Sequence, residues 1–179
     1  MELFPWHSRL RHAGTARRLV IAAVAAVTLA VVAAVGMAAT MAPGPNGCPT
    51  NKSLKTAPIA DLAPPARTQI EAFDVLSGPI NERTETFTLK VRVGSTCSGI
   101  DIKGASVYVT AVPYNQFTIP DEELTGDDGT ATLVFRRDAN FPASSKQQQL
   151  TLFIRATKPG EDPLAGISSR RLVAVDFSG

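Results

Sequence analysis

The sequence predicts an all-β fold, an antiparallel β-sandwich preceded by one N-terminal transmembrane helix. Three observations lead there: an uncharged aliphatic run near the N-terminus, a proline-rich stretch after it, and a series of segments in which polar and apolar residues alternate. At 179 residues the chain has room for one domain beside that run.

From Leu19 to Ala42 no charged residue occurs over 24 positions. As a helix this segment reaches about 36 Å, against a hydrocarbon core about 30 Å thick. Signal-peptide apolar regions run only about 7 to 15 residues, so length favours a retained signal anchor over 19–42. Arg9, Arg11, Arg17 and Arg18 precede the run and the next basic residue is Lys52, which assigns residues 1–18 to the cytoplasm as a basic tail. The alternative is a signal peptide cleaved at Gly36-Met37-Ala38, which would release the rest into the medium. Both readings export the C-terminal part.

Two cysteines, Cys48 and Cys97, fit an oxidising compartment as a disulfide. The bridge would close a loop of about fifty residues and contribute about 4 kcal/mol through chain entropy. Between Pro43 and Thr68 stand Pro43, Pro45, Pro49, Pro58, Pro64 and Pro65. So many missing donors predict a semi-extended stalk over 43–68 without regular strand or helix, part of it strapped to the domain if the cysteines pair.

From position 69 to 179 the pattern is that of strands. Gln69–Val75 is a weak first strand, expected at a sheet edge. Thr86–Val93 alternates without a slip and turns Phe87, Leu89, Val91 and Val93 to one face. Ala105–Val112 is apolar on both faces and rich in β-branched residues, as a central strand would be. Thr130–Arg136 points Ala131, Leu133 and Phe135 inward, and Gln149–Ala156 does the same with Leu150, Leu152 and Ile154. Arg171–Phe177 closes the domain with Val173, Val175 and Phe177 inward. Turn chemistry separates them at Ser77-Gly78-Pro79, Ser98-Gly99, Thr125-Gly126-Asp127-Asp128-Gly129, Phe141-Pro142 and Lys158-Pro159-Gly160. Six strands with no helix between them make a sandwich.

The string Gly104-Ala105-x-Val107-x-Val109, followed by Thr125-Gly126-Asp127-Asp128-Gly129-x-Ala131-x-Leu133, resembles the core pattern of bacterial immunoglobulin-like and carboxypeptidase-regulatory-like domains of exported surface proteins. Val112–Phe117 and Ser168–Leu172 are similar to segments of uncharacterised, membrane-anchored members. The resemblance spans about positions 85 to 177. It implies an immunoglobulin-like sandwich and leaves function open, because that fold carries adhesins, stalks and accessory modules alike.

Composition narrows the chemistry. From Pro43 onward there are 14 basic and 15 acidic residues, a balance without the electrostatic footprint of nucleic-acid binding. No histidine follows His12, which removes Ser-His-Asp and Cys-His catalysis from the exported part. Glu122 with Asp127 or Asp128 would be the acid–base pair of a glycosidase, and Asp121, Glu122, Glu123, Asp127 and Asp128 the oxygen donors of a calcium site. Both patterns are met more simply by solvated turns, so no enzyme activity, metal or cofactor is expected. Arg136-Arg137 and Arg170-Arg171 read as strand-edge protection. The candidate recognition surface is the loop Pro113–Thr125, where Tyr114, Asn115, Gln116 and Phe117 combine aromatic faces with carboxamides; the alternative is that Phe117 and Ile119 pin this loop onto the sandwich. The expected function is surface recognition or spacing in the cell envelope, with an envelope protein or glycan as partner. The alternative is a secreted accessory or carbohydrate-binding module.

Overall fold

The computed structural model describes residues 42–51, 53–97, 99–164 and 166–178. The basic tail and, but for Ala42, the apolar segment 19–42 lie outside the described residues. No helix among the described residues is long and apolar enough to cross a membrane.

The chain folds into short and long strands in the order β1 (Thr56–Pro58), β2 (Thr68–Val75), β3 (Ile80–Asn81), β4 (Thr86–Ser95), β5 (Asp101–Lys103), β6 (Ser106–Val112), β7 (Glu123–Leu124), β8 (Thr130–Arg136), β9 (Gln149–Thr157) and β10 (Ser169–Ser178). They form two five-stranded sheets. In the first, β4 pairs antiparallel with β2 and with β8, and its far end also pairs with β5 through Gly94 and Asp101. β1 adds to β5 in parallel. In the second sheet the order is β3, β10, β9, β6, β7, with β3 parallel to β10 and the remaining pairs antiparallel.

The inward faces are those expected from period two. Phe87, Leu89, Val91 and Val93 of β4, Ala131, Leu133 and Phe135 of β8, and Leu150, Leu152 and Ile154 of β9 are all buried in one core. β6 adds Val107, Val109 and Ala111, and β10 adds Val173 and Phe177, with Val175 half-buried against them. β2 lies at the edge of its sheet, as expected, and slips register at a bulge between Ile70 and Ala72. The Thr68 hydroxyl at its start donates to the Ile167 carbonyl at 2.8 Å, and the Arg171 guanidinium donates to the Ile70 carbonyl at 3.1 Å, so this edge is tied across to β10.

A column of phenylalanines fills one end of the core. Phe87 stacks on Phe135 with ring centroids 4.5 Å apart, and meets Phe117 edge-on at 4.9 Å. Phe117 then contacts Phe141 at 4.5 Å, and Phe141 meets Phe177 at 5.3 Å. Offset and edge-on pairs of this kind add to the large apolar area each ring removes from water.

The stretch 43–68 corrects the expectation of a stalk without regular structure. It carries β1, a 3₁₀ turn over Ile59–Asp61, and four core residues, Ala57, Ile59, Leu62 and Ala66. The prolines do not prevent this, because β1 uses only one edge and Pro58 ends it. Cys48 is bonded to Cys97, with Cα atoms 5.8 Å apart. Gly47, at φ +72°, brings the segment back on itself, its carbonyl accepting from the Ala63 amide at 2.9 Å. A Cβ there would fall 1.8 Å from the Ala63 carbonyl oxygen, so only glycine fits.

Phe117→Ala should therefore lose about 3–5 kcal/mol of stability, whereas Tyr114→Ala should stay within about 0.5 kcal/mol of the parent. Urea denaturation followed by circular dichroism separates the two. Equal, small effects would show that Phe117 does not carry core packing.

Candidate functional site

The described surface holds a groove of about 530 Å³ over the outer face of the first sheet, lined by Lys55, Asp74, Lys90, Arg92, Asp101 and Asp128 among others. Its residues are the polar half of the alternation. On β4, Lys90 and Arg92 alternate with the buried Leu89, Val91 and Val93. Strand pairing sets Ala72 and Thr130 on either side of Arg92, and Asp74 and Thr132 on either side of Lys90.

Arg92 is gripped at two points by Asp101, Nε to Oδ1 at 2.9 Å and Nη2 to Oδ2 at 2.7 Å. The planar fork matches the carboxylate, and Glu71 approaches the same guanidinium at 3.8 Å. This hydrogen bond and the Asp101 charge raise the Arg92 pKa above its ordinary value, so the group stays cationic. Asp101 holds its place through the turn before it. The Ser95 hydroxyl donates to the Cys97 carbonyl at 3.0 Å, the Ile100 amide donates to the same carbonyl at 3.3 Å, and the Asp101 amide donates to the Lys55 carbonyl at 2.9 Å. Cys97 is the disulfide partner, so the clamp on the N-terminal segment also fixes the acidic wall of the groove.

The turn into β8 continues this wall beside β5 and adds a second carboxylate. Asp128 accepts from the Thr130 hydroxyl at 2.8 Å and from the Thr130 amide at 3.1 Å, and lies 3.7 Å from Lys90. The hydroxyl bond, then the amide bond, lower the Asp128 pKa below its ordinary value near 3.8. Gly129, at φ +70°, lets this turn pass close to β5, since a Cβ there would sit 2.6 Å from the Asp101 Cβ. The groove thus presents fixed carboxylates, a fixed guanidinium and threonine hydroxyls, with charges largely matched in pairs. Such a surface suits a neutral, hydroxyl-rich or zwitterionic ligand held by hydrogen bonds.

The structure divides the expected recognition loop. Tyr114 is 66% exposed, and Asn115 is exposed in the left-handed region at φ 68°. Gln116 is completely buried and Phe117 nearly so, so the packing alternative holds for Phe117 and, of the four candidates, Tyr114 and Asn115 stand open to a partner. The Gln116 amide donates to the Pro113 carbonyl at 3.0 Å, while its Oε1 is buried without a hydrogen-bond partner among the described residues.

The acidic cluster does not gather. Glu122 pairs with Arg155 at 2.9 Å and accepts from the Ser106 hydroxyl, Asp127 pairs with Lys103 at 3.2 Å, and Asp128 turns to Thr130. Among the described residues no three His, Cys, Asp or Glu stand close enough to hold a metal ion. The arginine doublets hold neighbouring loops through backbone carbonyls. Arg137 donates to the carbonyls of Glu82 at 2.7 Å and Phe141 at 3.1 Å, and Arg170 donates to the Pro163 carbonyl at 2.8 Å. Sequence reasoning missed the groove and the Arg155 site, where the guanidinium lies 4.6 Å from the centre of the Tyr108 ring. Strand register alone brings those residues together.

Comparison with known proteins finds no matching family model, no matching curated protein and no matching solved structure.

The lowered Asp128 pKa has a defined pH consequence. A carboxylate held below its unfolded value stabilises the fold above about pH 4 and loses that contribution as the pH falls through the folded value. Asp128→Asn should lower the denaturation midpoint slightly at pH 7, and the difference from the parent should vanish toward about pH 2. A difference that persists unchanged under those acidic conditions would show that Asp128 acts through packing rather than charge.

Proposed function

We propose that this chain is a membrane-anchored, extracytoplasmic immunoglobulin-like domain that acts by non-covalent recognition in the cell envelope, with the groove over the first sheet as its contact surface. The observation that carries the reading is the Cys48–Cys97 bond, in a domain preceded by a 24-residue uncharged run. Disulfides of this kind persist in oxidising compartments, and an apolar run of that length with arginines before it exports the chain on its C-terminal side.

Strand order supports the immunoglobulin-like reading. β2, β4 and β8 stand in the arrangement of the A, B and E strands, and β6, β9 and β10 in that of C, F and G. The short β3 runs parallel to the last strand on the second sheet, so the N-terminal strands of the fold contribute to both sheets. The bridge between the B and F strands that antibody domains carry has no counterpart, since both cysteines are used to clamp the N-terminal segment. The residue pattern around Gly104–Val109 and Thr125–Leu133 points the same way. Recognition is preferred to a spacer role because the groove positions a bidentate Arg92–Asp101 pair and threonine hydroxyls on a rigid face.

The test is intact mass of the protein from its native host, with and without reduction and alkylation, together with its partition between membrane and medium. A full-length, membrane-bound species whose cysteines alkylate only after reduction is the expected result. A species shortened near Ala38 and recovered from the medium would replace the anchor by a cleaved signal and make the chain a secreted binding module.

A further inference from the structure

We propose that the open edge of β8 between Thr132 and Val134 takes up an extended, basic peptide segment of a partner protein as an added strand. This surface is separate from the groove over the outer face of the first sheet.

The backbone bonding of β8 shows which groups are free. The Val93 amide donates to the Gly129 carbonyl at 2.9 Å, and the Arg137 amide donates to the Glu85 carbonyl at 2.7 Å, so the odd-numbered residues of this stretch bond to β4. The even-numbered residues turn their amides and carbonyls to the other side. At the two ends these are satisfied. The Arg136 carbonyl accepts from the Thr118 amide at 2.9 Å and its amide reaches the Thr118 hydroxyl at 3.3 Å. The Thr130 carbonyl accepts from the Gly126 amide at 2.9 Å and its amide reaches Asp128 at 3.1 Å. Between them, Thr132 and Val134 keep their backbone donors and acceptors without a partner among the described residues.

The gap exists because the chain from Thr118 to Gly126 changes sheets. It pairs with β8 at Phe117 and Arg137, leaves it, and joins β6 as β7. A cleft of about 380 Å³ opens along β8 where the chain leaves, lined by Ile119, Pro120, Asp121, Glu123, Val134 and Arg136 among others. Ile119 is 51% and Val134 54% exposed beside it. An incoming strand would complete the backbone bonds of both residues and cover both side chains, the usual terms of strand addition.

Charge selects the partner. Asp121 and Glu123 flank the cleft without a paired cation among the described residues, unlike their neighbour Glu122, which Arg155 holds. Two carboxylates against the guanidinium of Arg136 favour lysine or arginine in the added strand. A second copy of β8 suits the gap less well, because Thr130 to Phe135 carry no cation to meet Asp121 and Glu123.

The test uses the full chain with the peptide acetyl-Thr-Lys-Val-Lys-Val-Thr-amide, read by titration and amide hydrogen exchange. Saturable binding with selective protection of the Thr132 and Val134 amides is expected. N-methylation of the central valine should weaken binding about tenfold, as should exchanging its lysines for glutamates. Asp121→Asn with Glu123→Gln should weaken the lysine peptide about fivefold. Val134→Pro removes an outward amide that β4 does not use, so binding should be lost with little change in melting temperature. Equal affinity for the N-methylated peptide, equal affinity for the glutamate peptide, or no protection at about 1 mM peptide overturns the proposal. So does concentration-dependent self-association that already protects these two amides, which would make a second copy the occupant.

Discussion

The stack of Phe87 on Phe135 and the edge contact of Phe87 with Phe117 decide how this domain closes. Phe87 and Phe135 face each other across β4 and β8, so their contact belongs to one sheet. Phe117 and Phe141 come from loops, and Phe177 from the last strand of the other sheet. The column therefore joins two sheets and two loops through rings alone. Each ring buried in such a site is worth several kcal/mol, more than any exposed ion pair on the molecule. Because Phe117 is held in the column, Gln116 is carried inside with it, and only Tyr114 and Asn115 remain outside at the tip. The same anchor fixes where the chain leaves β8, and so creates the cleft beside Thr132 and Val134.

The opposite constraint comes from the N-terminal segment. Cys48 ties it to Cys97, β1 lies along β5, and Leu62 and Ala57 are sealed into the core. Severing that segment would uncover apolar surface and free the turn that positions Asp101. The clamp is therefore part of the fold and part of the groove. One buried atom in it lacks an evident role: Asp61 is almost fully buried with Oδ1 unpartnered among the described residues, and nothing in the structure explains it.

The long strands were legible because each has one dry face and one wet face. Phe87 to Val93, Ala131 to Phe135 and Leu150 to Ile154 carry a period that any other register would turn inside out. The clamped segment was not legible, since a run of prolines signals extension and the partner strand of β1 lies more than forty residues away. β3 and β7, two residues each, are too short to show a period. Phe117 reads both ways in the sequence, as a core anchor or as part of a contact surface, because its neighbours Tyr114 and Asn115 are polar or amphipathic. Its partners Phe87 and Phe141 lie 30 and 24 positions away in the chain. The groove has the same origin, joining residues from Lys55 to Thr130 that only register sets side by side.

The outer faces carry little of the stability and are free to carry specificity. An exposed ion pair contributes about 0–1 kcal/mol, and salt screens it further. Arg92 is half-exposed even while Asp101 grips it. A domain that only separated two points would need the core, the clamp and a soluble surface, and unorganised charges would serve that surface as well. Here the carboxylates are fixed by backbone and hydroxyl groups, Asp101 through the disulfide turn and Asp128 through Thr130. Fixing a charged group in advance lowers the ordering cost that a ligand would otherwise have to overcome. That organisation is of little value to folding, and it supports the proposal that this face binds a ligand.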